Sequence, residues 1–169
     1  MIIDISLFES GKVNKIEFDE TYGLKENPFA EAGIKFISPI RIAFTAVIAG
    51  NDYIVNGFYS GEMELDCDKC GEKFNYQSNG DFVFVIMYEI PDDLKDDADT
   101  ILVENTKKID LKDRIRESIL INLPVSNLCK KNCRGLCPVC GTNLNKKKCG
   151  CGIEQTNSAF DDALKIFNN

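Results

Sequence analysis

The 169-residue sequence contains no histidine. That absence removes the commonest general base and restricts any zinc site to thiolate ligands. No apolar run approaches the roughly 20 residues that a membrane-crossing helix needs, so no membrane partner is expected. The first 18 residues have no basic leader, and Asp4 and Glu9 interrupt their apolar stretch, so no export signal is expected either. There is no phosphate-binding P-loop, no dinucleotide fingerprint and no GxSxG turn. A non-enzymatic, cytoplasmic protein without a small-molecule substrate is the expectation. Internal repeats and low-complexity tracts are also missing, and the length suits one folding unit.

What the chain has is cysteine, eight residues in two places. Cys67 and Cys70 form a CDKCG knuckle. Cys129, Cys133, Cys137, Cys140, Cys149 and Cys151 crowd into CKKNCRGLCPVCGTNLNKKKCGC. A chain of this size buries enough core to fold without disulfides, and in a reducing compartment CxxC pairs read as metal ligands. In CPVCG the thiolates at either end converge, Pro138 stiffens the turn and Gly141 lets the backbone pass behind the sulfurs.

Eight thiolates satisfy one or two structural zinc ions, each held by four cysteines. Local economy groups Cys137, Cys140, Cys149 and Cys151 around one ion, and Cys67, Cys70, Cys129 and Cys133 around another. The rival grouping joins the two knuckles, Cys67/Cys70 with Cys137/Cys140, as in a zinc ribbon. A rubredoxin-like iron site is the third option, and it leaves four cysteines without a role.

Charge is divided along the chain. The net charge is −7, from 20 basic and 27 acidic residues. Between residues 128 and 152 lie Lys130, Lys131, Arg134, Lys146, Lys147 and Lys148 and no acidic residue, which leaves 14 basic against 27 acidic elsewhere, a net −13. Each four-thiolate zinc centre carries a formal charge of about −2 that nearby cations offset. The remaining positive charge makes these six side chains candidate nucleic-acid contacts.

Periodicity predicts an α+β fold: a mainly antiparallel sheet or partly closed barrel, one or two packing helices, and the Cys-rich zinc-binding segment. Short strands are expected at residues 2–8 and 13–18. Two-residue alternation marks a hairpin, with Ile40, Ile42, Phe44, Ala46 and Ile48 on one face of the first strand. Tyr53, Val55, Tyr59, Met63 and Leu65 share a face of the second. A strand at 73–77, a turn at 78–81 and a central apolar strand at 82–88 follow the first knuckle. The acidic run at 91–100 reads as a solvated connection, followed by a short strand at 101–104. Asp110 caps a helix whose Leu111, Ile115 and Ile119 share a face and which Pro124 stops. Residues 157–167 read as a last amphipathic helix with Ala159, Phe160, Ala163, Leu164 and Phe167 on its apolar side. The chain thus divides into a β-rich part (1–127), a Cys-rich segment (128–152) and a terminal helix (153–169), all expected within one folding unit.

The order of these features resembles the YceD family of large-ribosomal-RNA accumulation proteins. The matching parts are the Cys67-Asp68-Lys69-Cys70 knuckle, the apolar strand, the acidic connection and the helix running into Leu123-Pro124-Val125. The run from Cys129 through GLCPVCGTNLN to Cys149-Gly150-Cys151 is the specific part. The resemblance implies a cytoplasmic protein that supports accumulation of large-subunit ribosomal RNA, with ribosomal RNA or a large-subunit ribosomal protein as partner. A different reading is also open. CxxC and CxC around one ion resemble the metal centre of oxidation-activated chaperones, which suggests a redox-regulated zinc-thiol switch.

Overall fold

The computed structural model describes residues 1–94, 99–103 and 106–151. The terminal helix expected at 157–167 lies outside the described residues, as do Asp96, Asp97 and Glu104.

Alternation of apolar and polar residues builds the main sheet. Strands β1 (Ile2–Asp4), β2 (Lys15–Tyr22), β3 (Ile40–Ala49), β4 (Asp52–Asp66), β5 (Lys73–Met87), β6 (Thr100–Leu102) and β7 (Lys108–Asp110) are joined by helices α1 (Ser6–Glu9) and α2 (Lys112–Ile121). β2 to β6 form one sheet in the order β2-β3-β4-β5-β6, antiparallel except for the parallel β5–β6 pair, and β1 pairs antiparallel with β7. The sheet is open, so the α+β architecture takes the sheet form of the two expected.

The inward face carries Ile40, Ile42, Phe44 and Ala46 from β3, Tyr53, Val55, Tyr59 and Met63 from β4, and Phe82, Phe84 and Ile86 from β5, all buried. Leu111, Ile115 and Ile119 from α2 and its approach, with Ile3, Ile5 and Phe8 from the N-terminal region, close the same core. Ile48 continues the alternation but is 47% exposed.

Two expectations need correction. The first strand ends at Asp4, whose carboxylate accepts hydrogen bonds from the Ser6 backbone N–H (3.1 Å) and hydroxyl (2.5 Å), turning the chain into α1. The strands expected at 73–77 and 82–88 are one: β5 runs unbroken for 15 residues, with Ser60 opposite Asn79 and Phe58 opposite Asp81. Asn79-Gly80-Asp81 resembles a turn, but Gly80 is a close approach instead. A Cβ there would stand 2.9 Å from both the Tyr59 hydroxyl and the Asn122 amide nitrogen. As expected, residues 82–87 run in a central strand, β5 lying between β4 and β6, with Val83 on its outer face 48% exposed.

The start of α2 is one residue later than expected. Leu111 holds the N-cap position, while the Asp110 carboxylate still accepts the Lys112 N–H at 3.0 Å. Arg116 pairs with Asp113 and Glu117, and Arg114 with Glu117. Among the described residues no helix is long and apolar enough to cross a membrane.

Ile119 is fully buried under the sheet. Ile119→Ala is expected to lower the unfolding free energy by about 2–5 kcal/mol. A denaturant titration checks this, and metal content should stay unchanged, because the cysteine clusters lie at the other end of the β4–β5 hairpin.

Candidate metal centres

The hairpin β4–β5 is long, and its last paired residues are Asp66 and Lys73. The six residues between them carry the first knuckle. In this turn the Cys67 N–H bonds to the Glu72 carbonyl (2.9 Å) and the Gly71 N–H to the Cys67 carbonyl (2.8 Å). The second knuckle repeats the pattern, Cys137 N–H to Thr142 carbonyl at 2.8 Å and Gly141 N–H to Cys137 carbonyl at 2.9 Å. Gly71 and Gly141 have φ of 67° and 70°, a left-handed conformation in which a side chain is strained. The two CxxCG segments are therefore one structural unit used twice.

The sulfurs gather in two sets, Cys67/Cys70/Cys129/Cys133 and Cys137/Cys140/Cys149/Cys151, with all Sγ atoms of a set within 4.8 Å of one another. This is the local grouping, not the ribbon-type pairing of the two knuckles. All eight cysteines are free thiols. Cys67 and Cys133 Sγ are 3.8 Å apart, and Cys70 and Cys129 Sγ 3.7 Å. A tetrahedron with metal–sulfur bonds of about 2.3 Å has edges of about 3.8 Å, whereas a disulfide needs about 2.05 Å. The residues present thus fit a tetrahedral four-thiolate ion.

The first set is the deeper. Cys67, Cys70 and Cys133 are buried, with Phe74, Leu128 and Cys129 packed against them. Two hydrogen bonds bring the distant segment in, Asp68 N–H to the Asn127 carbonyl (2.8 Å) and Asn127 N–H to the Asp68 carboxylate (2.6 Å). The second set is shallower: Cys137 is buried, Cys149 and Cys151 are half-buried and Cys140 is exposed.

Sequence reasoning missed the side chains that tie the sets together. The Asn145 amide donates to Cys133 Sγ at 3.3 Å, and its oxygen accepts the Arg134 N–H at 3.0 Å. Asn143 in turn holds Asn145, accepting its backbone N–H at 2.9 Å. Such partners orient a ligand and tune its basicity. The Asn-x-Asn spacing behind the second knuckle was the available signal, since Asn at that spacing forms local side-chain turns.

Four thiols so close cannot all ionise without a cation, and their pKa values separate. In the first set the Cys129 backbone N–H lowers Cys67 to about 6, and the Gly135 N–H lowers Cys133. Desolvation pushes Cys129 up to about 12. The Glu72 N–H pulls Cys70 down, but desolvation and the neighbouring thiols together outweigh it and raise the group. In the second set the Thr142 hydroxyl, 3.2 Å away, lowers Cys140 to about 6. Donation to Cys140 raises Cys151 to about 12, and donation to Cys137 raises Cys149.

All six basic candidates, Lys130, Lys131, Arg134, Lys146, Lys147 and Lys148, are exposed on the segment that carries these sulfurs. Lys146 is ion-paired with Glu72 behind the first knuckle.

The sequence profile described as large ribosomal RNA subunit accumulation protein YceD matches residues 55–167. The chain belongs to the YceD family. The YceD span begins inside β4 and contains all eight cysteines and α2, while β1 to β3 precede it. Similar proteins include the large ribosomal RNA subunit accumulation protein YCED homolog 1, chloroplastic, of Arabidopsis thaliana, 23% identical over 73% of this chain and 47% of that protein. The uncharacterized protein YlbN of Bacillus subtilis is 30% identical over 68% of this chain and 65% of its own length. The chain therefore spans about half to two thirds of these relatives. No solved structure matches it significantly.

Two outcomes follow from this sulfur geometry. The first set closes a loop of 59 residues between Cys70 and Cys129. Breaking it by Cys70→Ser is expected to cost roughly 4 kcal/mol from loop closure alone. Cys149→Ser, which opens only a local loop, should leave the thermal midpoint of the β-rich part nearly unchanged. Calorimetry distinguishes them. Metal binding at pH 7.5 should release at least two protons per ion, because the raised thiols, Cys70 and Cys129 in one set and Cys149 and Cys151 in the other, must ionise. Affinity should fall as pH drops, and more steeply below about 6, where Cys67 and Cys140 also take up protons. A pH-indicator titration with metal reads both.

Proposed function

We propose that this YceD-family protein is a non-enzymatic, zinc-dependent RNA-binding factor that supports accumulation of large-subunit ribosomal RNA in the cytoplasm. One observation carries the reading: the metal-held segment bears six exposed cations and no acid, on a chain otherwise at −13. Two zinc centres neutralise about four of those charges formally, and the surplus faces outward. Metal replaces a hydrophobic core in fixing the loops, so the cations are presented in a set geometry to phosphates. Zinc suits the role because it holds a closed four-thiolate shell without redox chemistry. The printed names of the family and of the Arabidopsis relative supply the ribosomal context.

Affinity for large-subunit ribosomal RNA fragments is expected to fall steeply with salt. Lys147→Ala and Lys148→Ala should each flatten the log–log salt slope by roughly 0.7–0.9. Lys146→Ala should change it less, since Glu72 already holds that ammonium. Fluorescence anisotropy across a salt series measures these slopes. Salt-independent affinity, or capture of a large-subunit ribosomal protein with no RNA binding, would replace RNA as the partner.

Exposed Cys140, with its thiol lowered to about 6, favours a second reading as a zinc-thiol redox switch or chaperone. Mild peroxide should then release metal and raise holdase activity together; metal release without holdase activity removes that reading.

A further inference from the structure

We infer that the metal-held tip contacts unpaired bases of RNA through Leu136 and Val139, as well as phosphates through its cations; this rests on the RNA-binding reading above. Leu136 is 45% and Val139 70% exposed, on a segment with no acidic and no aromatic side chain. Each directly precedes a ligand of the second set, Cys137 and Cys140, and Lys148 directly precedes Cys149. These three side chains therefore flank one cluster whose sulfurs lie within 4.8 Å of one another.

The two aliphatic side chains are outward because the knuckle's interior belongs to sulfur. The Leu136 backbone is held independently of the sulfurs. The Leu136 N–H bonds to the Lys69 carbonyl at 3.0 Å, Leu136 bridges to Asn143, and the Leu144 N–H bonds to the Gly135 carbonyl at 2.9 Å. A rigid apolar surface loses little conformational freedom on binding.

Phosphates alone give such a surface nothing to bury. Paired A-form RNA presents phosphates and 2′-hydroxyls and hides its base faces, whereas loops and bulges offer them. A cationic surround selects a polyanion, and an apolar centre selects the part of it with exposed faces. With no aromatic ring present, base contact is aliphatic, with the Arg134 guanidinium as the planar group that can stack. The occupant that meets both demands is single-stranded or looped RNA.

The test compares a stem-loop RNA with a fully paired duplex of equal length, using the full metal-loaded chain and anisotropy at fixed salt. The native protein is expected to prefer the stem-loop by about tenfold or more. Leu136→Ser combined with Val139→Ser should abolish that preference, keeping duplex affinity, salt slope and metal content. Val139→Leu should retain it, which separates loss of contact from damage to the fold. Equal native affinity for both RNAs, or a preference that survives the double serine variant, overturns the inference while leaving RNA binding intact. Failure to bind either RNA overturns the function proposed above and this inference with it.

Discussion

Convergence of four cysteine sulfurs at the turn of the β4–β5 hairpin is the constraint on which the rest depends. Cys67 and Cys70 arrive on the hairpin turn. Cys129, 59 residues beyond Cys70, and then Cys133 arrive after the chain has paired β5 with β6, formed β7 and run along α2. Among the described residues the fully buried core stops near Met63 on β4, and only the half-buried cross-strand pair Leu65 and Phe74 leads on toward the sulfurs. An ion held by these four sulfurs would fix two segments far apart in sequence at the cost of ordering a few side chains.

The second cluster depends on the first. The knuckle starting at Cys137 is anchored to the earlier one through Leu136 and the Lys69 carbonyl, and through the Asn145 amide on Cys133. An ion in the first set would thus orient the platform on which the second is displayed. The arrangement also separates charge. The sheet and its connections carry the acidic excess, and the tip carries lysines on a backbone stiff enough to keep them apart. In water such a division works at short range, within a screening length of about 10 Å at moderate salt. It therefore acts on what touches the tip, not as a long-range field of the whole molecule.

Much of this was legible in the residues. Alternation in 40–48 and 53–65 placed the buried face of β3 and β4 nearly residue by residue, and the Leu111/Ile115/Ile119 spacing located the packing side of α2. The cysteine spacing led to both groupings that were weighed, but not to the choice between them. Whether Cys67 meets Cys129 or Cys137 depends on where α2 returns the chain, which no local pattern encodes. The break expected at 78–81 failed for a similar reason. Asn-Gly-Asp is a turn signal in isolation, yet cross-strand pairing with β4 and the space needed by Tyr59 and Asn122 overrode it. The Lys146–Glu72 pair was likewise invisible, and the Asn143-x-Asn145 spacing signalled a local turn but not its contact with Cys133, because both contacts join residues that become neighbours only once the thiols converge.

The central claim is that two all-sulfur metal centres build the tip. Elemental analysis with metal-edge X-ray absorption on protein isolated under reducing conditions addresses it directly. The account predicts two ions per chain, each with four sulfurs at about 2.3 Å and no lighter ligand. A single ion, nitrogen or oxygen in the shell, or metal-free protein with sulfurs paired at about 2.05 Å would contradict it.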